Sequence, residues 1–141
     1  MGFKPEDAKD VSWNFNGSRG RVVHLEEDKW GLEKGGKQPE PIKEGWQVRS
    51  LLWDLGDAEY QQKLDPMPPA TLNPWCKIEL RNADKDLLLA LSWDKPPEQG
   101  RDPVPLWLER QEETLAVTVD AETLRRVAGD LQRLSTFEPK K

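Results

Sequence analysis

The sequence is short of the residues that carry most enzyme and metal chemistry. Its 141 residues include one cysteine, Cys76, and one histidine, His24. A single thiol cannot form a disulfide within the chain or a cysteine-based zinc cage. Cys76 follows Trp75 in a strand-like stretch and reads as a packed thiol, not a reactive one. A histidine general base needs an orienting partner and a nucleophile beside it. The segment after His24, Leu25-Glu26-Glu27-Asp28, offers carboxylates but no defined geometry. His24 is therefore read as a hydrogen-bonded or surface histidine at a strand end.

Other absences narrow the function further. No apolar run approaches the length needed to cross a membrane, and residues 1 to 7 lack the apolar core of a signal peptide. A reduced, cytoplasmic setting is expected, with no membrane partner. The formal charge is −5, with acidic and basic residues interleaved along the chain. Without a segregated basic stripe, direct nucleic-acid binding is not expected. Gly35-Gly36-Lys37 lacks the Gly-Lys-Ser/Thr ending and following helix of a phosphate loop. Asp54, Asp57 and Glu59 form the densest candidate for a hard cation, but their spacing is not that of an EF-hand. Helix capping accounts for Asp54 and Asp57 equally well. No cofactor is implied, and no catalytic constellation stands out among the 26 acidic residues.

What the chain does have is tryptophan, seven in all, with twelve prolines and ten glycines to punctuate it. So many large rings argue for a folded chain, read here as one domain spanning 1–141. Residues 1–10 and 138–141 are expected to be flexible. Val11, Trp13 and Phe15 alternate as a strand, Asn16-Gly17 supplies a tight hairpin turn, and 19–25 returns, with Gly20 marking a bulge or weak start. Residues 29–33 form a short strand before a polar loop. Residues 46–55 are apolar on both parities and read as a covered strand, followed by one or two helical turns over 57–64.

Two further hairpins are expected, 75–81 with 87–93 and 104–110 with 114–119. The run 87–91 should lie at the sheet centre, and Pro105 places its strand near an edge. Asp120 caps a helix over about 120–135, whose stripe is Leu124, Val127, Ala128, Leu131 and Leu134. The fold class is therefore α+β: a bent antiparallel sheet or partly open barrel of about six or seven strands, covered by one C-terminal helix.

The tryptophans carry the functional reading. Most should complete the core. Trp107 is expected to be exposed, because Leu106 and Leu108 claim the opposite face of its strand. Trp46 and Trp53 fall on opposite parities, and Arg49 shares the parity of Trp53. Exposed tryptophan beside arginine has the composition of a binding hot spot. The expectation is a non-catalytic protein-binding module, an adaptor, regulatory subunit or inhibitor, using Trp107, Trp53, Arg49 and Trp46 on a sheet surface. Two alternatives stand beside it. One is a small-ligand or nucleotide binder with a tryptophan-lined cavity, and the other an acidic inhibitor that occupies the nucleic-acid-binding surface of another protein. The partner's identity and the oligomeric state are not written in the sequence.

Overall fold

The computed structural model describes residues 4–15, 18–26, 29–33, 40–41, 46–57, 60–64, 74–93, 104–110 and 113–136. A short 3-10 turn, Pro5–Asp7, leads into strands β1 (Asp10–Phe15), β2 (Ser18–Glu26), β3 (Lys29–Glu33) and the two-residue β4 (Glu40–Pro41). Helix α1 (Trp46–Asp57) and strand β5 (Tyr60–Lys63) come next. Strands β6 (Cys76–Arg81), β7 (Leu87–Trp93), β8 (Val104–Arg110) and β9 (Glu113–Val119) follow, and helix α2 (Ala121–Thr136) ends the described chain. All the strand pairs are antiparallel, in the order β4-β3-β2-β1-β6-β7-β8-β9-β5. The sheet stays open, with β4 at one edge and β5 at the other. It is therefore not a barrel.

Period-two alternation gives the sheet one apolar face. Across it, Leu32, Val22, Val11, Leu80 and Leu89 lie in register on five successive strands. A second row runs Trp13, Ile78, Leu91, Leu108, Leu115. These side chains are buried in one cluster with Val48, Leu51, Leu52 and Leu55 of α1 and Leu124, Val127 and Leu131 of α2. Burying a leucine stabilises by roughly 1.5–3 kcal/mol, so the two helices and the sheet hold one another in place.

Helix α2 follows its sequence signals. The Glu122 amide donates to Asp120 Oδ1 at 3.4 Å, and the Leu124 amide to the Asp120 carbonyl at 3.3 Å. Ala121, Leu124, Val127 and Leu131 form the buried stripe, with Ala128 half-buried at its margin. The side chain of Leu134 lies outside the described residues.

Other expectations are corrected. Residues 46–55 are not a strand. They form α1, because Val48, Leu51, Leu52 and Leu55 make a single helical stripe once the sheet's apolar face is there to cover. The helical turns expected over 57–64 are instead the end of α1 and the edge strand β5. Gly20 sits in regular register opposite Trp13, and the irregularity of β2 falls between His24 and Glu26, facing β3. Strand β8 is interior, between β7 and β9. Pro105 is accommodated because the β7–β8 pairing among the described residues spans Trp107 to Glu109, beyond the proline. Ala8 is buried and Lys9 donates to the Arg81 carbonyl, so this part of the N-terminal segment belongs to the fold. The Asn16-Gly17 turn, the 94–103 loop and residues 138–141 lie outside the described residues, although Phe15 pairs with Ser18 across the first of these.

Candidate functional site

Burial divides the tryptophans. Trp13, Trp30 and Trp93 are core residues. Trp75 packs edge-on to Phe15, with ring centroids 4.9 Å apart, and lies 6.2 Å from Trp93. His24 meets the Trp30 ring edge-on, with ring centroids 5.4 Å apart. Trp53 is the exception. It is 62% exposed on α1, the largest apolar side chain left to solvent among the described residues.

The helical spacing explains that exposure. The stripe of Val48, Leu51, Leu52 and Leu55 turns Trp53 away from the sheet, together with exposed Arg49 one turn before it and exposed Asp57 one turn after it. Residues 49, 53 and 57 thus form one ridge of cation, aromatic and anion. Trp46 opens the same helix, but its side chain lies outside the described residues. The charges on α1 oppose the helix dipole. A helix favours anions in its first turn and cations in its last. Here the first turn holds no acid and the last no base, with Arg49 near the start and Asp54 and Asp57 near the end.

Trp107 stands elsewhere. It lies on the outer sheet face, in register with Ser92 and Ala116, and is half-buried rather than exposed. Because α1 covers the inner face, Trp107 and the Arg49–Trp53 pair occupy opposite sides of the molecule. The four expected site residues therefore do not form one surface, and three of them belong to a helix instead of the sheet.

Charged residues from β1, β2, β3 and β6 meet on the outer face. Arg21 donates to Asp10 through Nε at 2.9 Å and through a terminal nitrogen, and reaches Glu33 at 3.4 Å. The hydrogen bond to Asp10 raises the Arg21 pKa; burial opposes this, and the charges of Asp10 and Glu33 add to it. Glu79 accepts from Arg81 at 3.0 Å and lies 3.4 Å from the Lys77 ammonium. An open depression of about 380 Å³ is lined by Asp10, Ser12, Arg21, Arg81 and Lys85. A smaller one of about 160 Å³ includes Trp13 at its wall. Both are mixed in charge and neither is a tryptophan-lined pocket. This cluster was not singled out from the sequence. Its only signal there was charge at alternate positions of separate strands, whose pairing the sequence does not specify.

Between the helices, buried Asp130 of α2 accepts from the Ser50 hydroxyl of α1 at 3.2 Å, which sets the register of the two. Among the described residues no group of three or more His, Cys, Asp and Glu side chains is placed to hold a metal ion, and Glu59 lies outside them. No described helix is long and apolar enough to cross a membrane. Comparison of the chain with protein-family models, with curated proteins and with solved structures finds no match.

Proposed function

We propose that this chain is a non-catalytic protein-binding module whose contact surface is the outward face of α1, centred on Trp53 with Arg49 beside it. The observation that carries this reading is the 62% exposure of Trp53 on a helix whose other large described apolar side chains are buried. An indole in water is an association liability that a partner surface removes. Tryptophan and arginine together are the side chains that most often dominate binding energy. A helix pinned by its buried stripe and by the Ser50–Asp130 hydrogen bond presents them at little further cost in ordering. Trp107, half-buried on the far side of the sheet, contributes to stability and not to this contact.

The test compares the parent with Trp53→Ala and Trp107→Ala in urea unfolding and in capture of proteins from the native source. Trp53→Ala should leave the urea midpoint nearly unchanged and lose captured protein by tenfold or more, about 2 kcal/mol for a central hot-spot residue. Trp107→Ala should lower the midpoint and leave capture intact. Equal capture by the parent and Trp53→Ala would overturn the reading.

A further inference from the structure

We infer that the partner of the α1 face is a second copy of this chain, bound through an antiparallel helix pair about a twofold axis at Trp53. This inference rests on the protein-binding reading above and specifies its partner. The ridge is self-complementary. Arg49 lies four residues before Trp53 and Asp57 four residues after it, and all three are exposed. A twofold axis through position 53 places the two indoles together and sets each Arg49 opposite the other copy's Asp57. The same residues then meet from both sides, as an isologous contact requires.

The dipole supports the same arrangement. Arg49 near the start of α1 and Asp57 at its end are each placed against their own helix's field. An antiparallel neighbour brings its negative C-terminal end beside Arg49 and its positive N-terminal end beside Asp57. The charges that oppose the field within one copy are thus matched by the other. A helix of 12 residues is about 18 Å long and offers less than the roughly 800 Å² per partner of a standard stable interface. The dimer is accordingly reversible and forms at high protein concentration.

Sedimentation velocity on the parent from about 10 μM to about 1 mM spans the range in which weak dimers form. The parent should move from monomer to dimer, and Trp53→Ala should remain monomeric. Arg49→Asp and Asp57→Arg should each remain monomeric when alone, since each homodimer then opposes like charges twice. Urea unfolding of each variant separates a loss of association from a loss of folding. Mixed in equal amounts, the two variants should associate, because the heterodimer restores both opposite-charge pairs.

A parent that stays monomeric throughout, or a mixture that fails to associate, would overturn the inference. If the parent is monomeric while Trp53→Ala still loses another captured protein, the second copy is the wrong partner and the binding-surface reading stands. If Trp53→Ala changes neither association nor capture, both fall.

Discussion

The indole of Trp13 on β1 lies directly over Gly20, its partner on β2. A methyl group at Gly20 would come within 2.6 Å of Trp13 Cε2 and 2.9 Å of its Nε1. Trp13 is only 5% exposed and packs in the core, so it has little freedom to move aside. Gly20 is thus a site of close approach that lets a large ring lie flat on the sheet. Gly20→Ala should destabilise by about 1–3 kcal/mol, the usual range for overpacking. A urea midpoint equal to the parent's would show that the ring can be displaced at no cost.

Lys85, in the β6–β7 connection, holds the left-handed backbone conformation, with φ of 67°. Its amide donates to the Asn82 carbonyl at 3.0 Å, while Asn82 Oδ1 accepts from the Asp84 and Asp86 amides, each at 2.9 Å. The tight turn fixes that conformation, which costs an L-residue roughly 1–2 kcal/mol. Glycine adopts it freely but orders at a higher entropic cost. Lys85→Gly should therefore raise stability by a net of about 0.5–1 kcal/mol. A lower melting temperature for Lys85→Gly would mean that the lysine side chain stabilises the fold by more than the backbone strain costs.

Helix α2 gives two predictions of different size. Leu131 is fully buried between the helices and the sheet, and Leu131→Asp should cost about 3 kcal/mol or more through lost burial and an unpaired charge. Asp120→Ala removes only the cap contact to the Glu122 amide and should cost about 1 kcal/mol, with Asp120→Asn close to the parent. The order of the three urea midpoints checks both.

Burial pushes the Cys76 thiol well above its ordinary pKa. In the unfolded chain the thiol ionises near pH 8.5, while in the fold it stays protonated, so stability is complete below that pH and falls as pH rises above it. Between about pH 9 and 10.5 the parent should lose up to about 1.4 kcal/mol per pH unit more than Cys76→Ala does. Parallel pH profiles would place the thiol in contact with solvent. The same burial should make Cys76 slow toward thiol reagents until the protein unfolds.

Three hairpins, the α2 cap and stripe, and the parity of Trp107 could be read from the residues alone. Each depends on contacts close in sequence: turn chemistry, a side-chain period, or an Asp beside the first helical amides. Residues 46–55 could not be read in this way. Leu51, Leu52, Trp53 and Leu55 supply apolar groups on both parities, so a covered strand and an amphipathic helix fit the run equally well. The competition is settled at a distance, because strands far apart in sequence build an apolar face that needs a covering helix. Arg49 and Trp53 share a face under either period, since four residues are both two strand repeats and about one helical turn. Their pairing was therefore legible before their secondary structure was.

Sequence alone determined the hairpins and the terminal helix, which fold through local contacts, and the abundance of tryptophan. The tertiary structure alone decided where each ring faces. Whether an indole is core or surface depends on which element lies across from it, and that element is distant along the chain. Trp93 and Trp53 are the same residue type in apolar runs, yet one is fully buried and the other 62% exposed. The sheet brings Trp93 under the helices, and α1 spends its apolar stripe on that same sheet and turns Trp53 outward.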